Sequence, residues 1–152
     1  MRHAAALPAA LGATDFERPL SGPGRAAAAQ AARRLAAAAV KVDRLLYSPA
    51  RRTRDTAAIV ARELKLDPVA LESVPELYSA SPQTLRATIE HSHGDAAVLM
   101  LVGHNPGISE FGRELARGPG HDHLPTAGFW RLPFDADGWR RLLRRAGGDA
   151  GR

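Results

Sequence analysis

The run Ala97-Val98-Leu99-Met100-Leu101-Val102 is apolar at every position. A strand with one face in water alternates apolar and polar residues, so an unbroken run predicts a central strand covered on both faces. It stops at Gly103-His104-Asn105-Pro106-Gly107. There an Asn cap and a proline tolerated in the first turn predict a new helix. Ile108, Phe111, Gly112 and Leu115 give that helix an apolar face. A covered strand that hands directly to an amphipathic helix restricts the chain to layered α/β architectures.

The same handover recurs. Asp43 to Tyr47 is a short, mostly apolar strand, followed by Ser48-Pro49 as N-cap and first helical residue. The helix runs to about Leu64, with Thr53, Ala57, Val60 and Leu64 on its core face. Lys65 to Pro68 is a turn, Val69 to Val74 a strand, and Pro75 to Tyr78 a loop. Ser81-Pro82 repeats the cap signal for a helix to about His91, with Leu85 and Ile89 inward. Upstream, residues 4–20 read as a loop, and Ser21 caps an alanine-rich helix from about Arg25 to Val40 with Pro23 in its first turn. Downstream, residues 117–126 are a loop, Ala127 to Phe134 a strand, Asp135 to Gly138 a turn, and Trp139 to Leu143 a last strand. Residues 146–152 are expected to be disordered. The expected fold is a single α/β domain over 1–152, three layers α-β-α around a mostly parallel sheet.

Composition narrows the function classes. The chain has no cysteine, so disulfides and thiolate metal sites are excluded. No apolar run approaches the roughly 18 residues of a membrane span, and the start lacks a secretory pattern, so a cytoplasmic protein is expected. The net charge of +5 invites a nucleic-acid reading. Against it, the arginines are spread, the run Arg140 to Arg145 reads as a solvated edge, and aromatics make up only 5% of the chain. An anionic small group or acidic partner explains the charge equally well. No nucleic acid and no membrane are expected as partners, and the protein is expected to be a monomer. His91-x-His93 and His121-x-His123 have metal-pair spacing but no evident third ligand. Neither a metal nor another cofactor is expected.

The chemistry-bearing residues sit at the strand-to-helix handovers. In open α/β sheets the ligand site lies beyond the carboxyl ends of the strands. His104 follows one strand; Ser48 follows another, with Arg51, Arg52 and Arg54 close behind. Helix N-termini favour an anion, and an arginine fork can hold two phosphate oxygens at once. A phosphate-sized pocket is the expected site.

Arg2-His3, Ser48-Pro49-x-x-Arg52-x-x-x-Thr56 and Gly103-His104-Asn105-Pro106, in this order and spacing, resemble the histidine phosphatase superfamily with its phosphoglycerate-mutase-like fold. Asp15-x-x-Arg18-Pro19-Leu20 and Glu76-Leu77-Tyr78 are most similar to its SixA-type phosphohistidine phosphatases. The resemblance covers residues 2 to about 135. It implies a metal-independent phosphatase in which His3 attacks phosphorus and carries a phosphohistidine intermediate. Arg2, Arg52 and His104 would bind the phosphoryl oxygens, joined by Arg18. The general acid is Asp15 by the SixA-type pattern or Glu76 by that of larger members. The implied substrate is a phosphorylated protein histidine or a small phosphomonoester. The alternative is a relative that binds phosphate or a phosphoprotein without turning it over.

The chain departs from the family pattern at two points. Ala4 stands where the motif usually has glycine. Family members also begin with a short apolar strand ending in Arg-His, whereas only Met1 precedes Arg2 here. The expectation is a truncated first strand, with the natural start upstream.

Overall fold

The computed structural model describes residues 1–116 and 122–134. Helix α1 (Gly22–Ala37) opens on Ser21, whose Oγ accepts the Gly24 amide at 3.0 Å. Pro23 lies in the first turn, where a missing N–H costs nothing. The helix ends before the predicted Val40 because Ala39 turns left-handed, at φ 51°. Strand β1 (Arg44–Tyr47) follows, then α2 (Arg51–Leu64), β2 (Leu71–Ser73), α3 (Pro82–Ser92), β3 (Leu99–Val102) and α4 (Gly107–Ala116). Short 3-10 turns stand at Asp15–Glu17, Pro68–Ala70 and Pro75–Leu77. The expected Val69–Val74 strand is thus shortened, its first residues taken into the turn that Asp67 caps.

The sheet is parallel, in the order β2-β1-β3. Successive residues of a strand point to opposite faces. Leu45 accordingly joins one apolar cluster with Ala28, Ala31, Ala32 and Leu35 of α1 and Ala57 and Val60 of α2. Leu46 joins the other, with Leu85 and Ile89 of α3 and Ile108 and Phe111 of α4. Helices therefore cover both faces, which gives the three expected layers. Ala28, Ala31 and Ala32 of α1 have no exposed surface, and their small side chains suit close helix packing against α2.

The first residues of the chain join this sheet without forming a regular strand. Arg2 and Gly103 make an isolated parallel bridge. The Gly103 amide donates to the Met1 carbonyl and the His3 amide to the Gly103 carbonyl, each at 3.1 Å. On the other side Arg2 donates to the Gly128 carbonyl at 3.0 Å, and Ala127 donates to the His3 carbonyl at 3.2 Å. Met1 is 7% exposed, and its ammonium donates to the Leu101 carbonyl at 2.7 Å.

Two local expectations are corrected. Ser48-Pro49 does not cap α2: the helix starts at Arg51, and its N-cap Ala50 gives no side-chain bond. The Ser48 hydroxyl is engaged by His104 instead, at 2.7 Å. Ala127 to Phe134 is not a strand, because Ala127 is left-handed at φ 59° within a turn that breaks the extended run. The predicted turn at 135–138, the strand at 139–143 and the tail from 146 lie outside the described residues.

Gly107 fixes how closely the start of α4 meets the backbone at Ala80. A Cβ there would lie 1.9 Å from the Ala80 carbonyl oxygen, a backbone atom that cannot swing away. Alanine normally stabilises a helix by about 1 kcal/mol over glycine. Gly107→Ala is expected to reverse that sign and cost about 1–3 kcal/mol, as overpacking does. Urea unfolding of the two proteins measures it; a gain in stability would contradict the contact.

Candidate active site

The sheet delivers its functional side chains to one end. Ser48 follows the last residue of β1, and His104 stands two residues beyond β3. Arg52 lies in the first turn of α2, so the handover from β1 puts it beside Ser48. His3 is brought alongside by the Arg2–Gly103 bridge and by its own amide, which donates to the carbonyl of Gly103, the neighbour of His104. The two imidazole rings lie 5.3 Å apart, inclined by 59°.

Hydrogen bonds fix the proton on each ring. His3 Nδ1 lies 2.8 Å from the Ala4 carbonyl oxygen. A carbonyl only accepts, so Nδ1 carries the hydrogen and Nε2 keeps its lone pair. His104 Nδ1 faces Arg52 Nη2 at 3.3 Å, and Arg52 only donates. Nδ1 of His104 therefore accepts, and its Nε2–H donates to Ser48 Oγ. Ser48 is wholly buried, and His104 and Arg52 are each 6% exposed, so the floor of the site is dry.

The same burial keeps both rings neutral. It holds the His3 pKa down to about 4, and the charges of Arg52, Arg2 and Arg18 push the same way against the Ala4 hydrogen bond. His104 is held down to about 3 by burial first, then by the charges of Arg52 and His3. A neutral imidazole with a free Nε2 is a competent nucleophile near pH 7.

Asp15 ties the arginines together. Arg52 donates through Nη1 to its backbone carbonyl at 2.7 Å and through Nη2 to its carboxylate at 2.9 Å. Arg18 Nη1 donates to the other carboxylate oxygen at 3.0 Å, while Arg18 Nε holds the Leu7 carbonyl at 2.8 Å. The Tyr78 hydroxyl adds a third donor at 3.3 Å. The Arg18 hydrogen bond chiefly, then the Arg52 charge and the bonds from Arg52 and Tyr78, hold Asp15 below the usual carboxylate range. Arg2 reaches the opposite wall, where Nη1 donates to the Leu124 carbonyl and meets His123 Nε2 at 3.3 Å. Its Nε is buried without a hydrogen-bond partner.

His3, His104, Arg52, Asp15 and Arg18 thus form one connected cluster, with Arg2 acting on His3 through its charge. Glu76 is exposed on the Pro75–Leu77 turn and takes part in none of these bonds. Three residues escaped sequence reasoning in these roles. Ser48 was visible at a strand end but was expected to cap a helix. Thr56 was visible in the motif; its Oγ1 accepts the Ala4 amide at 3.0 Å and donates to the Arg52 carbonyl at 2.7 Å, joining both halves of the site. Tyr78 was visible in the Glu76-Leu77-Tyr78 element but carried no expected role. His91 and His93 each spend Nδ1 on a nearby carbonyl, of Ala87 and Gly94, and His121 lies outside the described residues. Among the described residues no three His, Cys, Asp or Glu side chains are grouped to hold a metal ion. No described helix is long and apolar enough to cross a membrane.

The fold agrees with that of known relatives. Residues 1–105 match the histidine phosphatase superfamily (branch 1), and the chain belongs to that family. No curated protein matches. Among solved structures, a protein assigned as the phosphohistidine phosphatase SixA of Agrobacterium tumefaciens is 29% identical, with 84% of each chain covered and a TM-score of 0.72. Another, assigned likewise in Nakamurella multipartita, is 30% identical over 84% of this chain and 77% of that one, also at 0.72. The protein histidine phosphatase SixA complexed with tungstate is 27% identical over 87% and 80%, at 0.68.

Two outcomes follow from the site. Ser48→Ala leaves the buried His104 Nε2–H without an acceptor, which costs about 1–3 kcal/mol. Calorimetric titration with vanadate is expected to show about tenfold weaker binding; unchanged affinity would mean that Arg52 alone orients the ring. The second outcome concerns pH. The unfolded histidines take up protons near 6.5, but the folded ones only near 4 and 3. Below 6.5 the unfolded chain therefore binds more protons, so stability falls as pH drops from about 6.5 towards 4. His104→Gln is expected to flatten that slope in denaturant melts between pH 7 and 4; an unaltered slope would refute the burial argument.

Proposed function

We propose that this chain is a phosphatase in which His3 is the nucleophile and carries the phosphoryl group. The observation that supports it best is the His3 Nδ1–Ala4 hydrogen bond, which leaves Nε2 with its lone pair beside His104 and among three arginine charges. Nε2 attacks phosphorus, and the bond from phosphorus to the leaving nitrogen or oxygen breaks with its electron pair on the leaving atom. Water then attacks the phosphohistidine, giving inorganic phosphate and restoring the ring. A phosphoryl group in transit spreads negative charge over its equatorial oxygens, so positioning and positive charge dominate catalysis. Arg2 and Arg52 supply those contacts, and Arg18 braces the rim. His104 joins them when a bound anion draws its hydrogen to Nδ1 and the Ser48 hydroxyl turns to donate to Nε2. Supplied this way, the charge needs no metal.

Of the two candidate acids, Asp15 touches the arginine cluster and Glu76 does not. Held ionised, Asp15 serves first to orient Arg52 and Arg18. A nitrogen leaving group makes modest demands for a proton. The substrate class is phosphohistidine on a protein or a small phosphomonoester. The SixA relatives, and the tungstate complex of one of them, support an oxyanion site of this kind.

The test is a rapid quench of the protein mixed with N-phosphoimidazole. It is expected to trap acid-labile, base-stable phosphate on the wild type and none on His3→Ala, whose circular dichroism is unchanged. Phosphate binding without any turnover or trapped intermediate would instead identify a binding relative.

A further inference from the structure

The burial gradient of the site fixes where the leaving group lies. The floor, Ser48, His104 and Arg52, is closed to solvent. The open side is formed by Asp15, Phe16, Arg18 and Tyr78. A phosphoryl group held on the floor must direct its carrier towards that rim.

The polar groups of this rim are already committed to one another. Asp15 accepts from Arg18, Arg52 and Tyr78, and Arg18 also holds the Leu7 carbonyl. They are poorly placed to read the hydroxyls of a sugar or polyol phosphate. What the rim presents instead is ring surface. Phe16 and Tyr78 are each 38% exposed. Their rings pair edge to face, 5.2 Å apart at 70°, and the Tyr78 ring meets that of His104 at 5.4 Å and 89°. His104, Tyr78 and Phe16 form a row of rings that climbs from the phosphoryl floor to solvent.

We propose that Phe16 and Tyr78 are specificity-determining residues that favour a phosphoryl group carried on a planar ring over one carried on an alkyl chain. This deepens the phosphatase reading and rests on it. The carrier ring extends the row of rings, gaining the edge-to-face or offset contact that aromatic pairs prefer. The imidazole of phosphohistidine and the phenol of an aryl phosphate share this chemistry.

The experiment has two readouts. The first is kcat/KM for N-phosphoimidazole, phenyl phosphate and propyl phosphate, with each variant compared to wild type on the same substrate so that intrinsic reactivity cancels. The second is calorimetric binding of phenylphosphonate and propylphosphonate, which needs no turnover. Phe16→Leu keeps apolar bulk but removes the ring, and is expected to lower the ring-over-alkyl preference about fivefold in both readouts. Tyr78→Phe keeps the ring and is expected to retain the preference. A larger loss with N-phosphoimidazole than with phenyl phosphate assigns the rim to imidazole carriers, and the reverse assigns it to phenols. An unchanged preference in Phe16→Leu, or equal binding of the two phosphonates by wild type, overturns the proposal. Selective phenylphosphonate binding with no turnover of any substrate would leave the rim standing and sink the phosphatase reading.

Discussion

The site depends on a pairing of very few atoms. Gly103 donates to Met1 and accepts from His3, and this clasp, beside the bond from the Met1 ammonium to the Leu101 carbonyl, joins the start of the chain to the end of β3. A net hydrogen bond contributes only about 1 kcal/mol, so two of them would hold His3 loosely. The clasp is reinforced on three sides. The Met1 side chain is buried, Thr56 takes the Ala4 amide, and the turn at Ala127-Gly128 binds His3 and Arg2 from the flank opposite β3. Thr56 matters most among these because it also holds the Arg52 carbonyl. One buried hydroxyl thereby sets the spacing between the His3 and Arg52 segments.

The parallel sheet explains why so short a chain can bring these pieces together. Strands β1 and β3 are neighbours running the same way, so Ser48 and His104 emerge side by side although 56 positions separate them. Each strand then turns at once into a helix that packs on one face, α2 on the side of α1 and α4 on the side of α3. The site sits at the crevice between those two departures, as open parallel sheets favour.

The sequence made the handovers legible because they are local. A covered strand, a small or polar junction residue, and an amphipathic helix each leave a periodic trace, and Ser21 and Ser81 capped their helices as read. Ser48 carried the same local signal and was diverted by a partner far along the chain, which periodicity cannot register. Tyr78 stood in a noted element without a role for a similar reason: its value comes from standing against Asp15 and His104, not from its neighbours. The flank from Ala127 was misread because alternation of side chains does not reveal a left-handed backbone residue. Motif order located His3, His104 and Arg52, but only geometry distinguished the carboxylate in the cluster, Asp15, from the one outside it, Glu76.

The grip of Arg52 on Asp15 has a consequence for turnover. The guanidinium fork that would take a phosphate is occupied by an internal anion, on a carboxylate that is half exposed and can move. An arriving dianion gains only the difference between itself and that resident carboxylate. The departing product, conversely, leaves behind a charge that is at once neutralised from within. On the proposed mechanism, an arginine pocket built this way would release inorganic phosphate readily, because Asp15 pairs Arg52 from within.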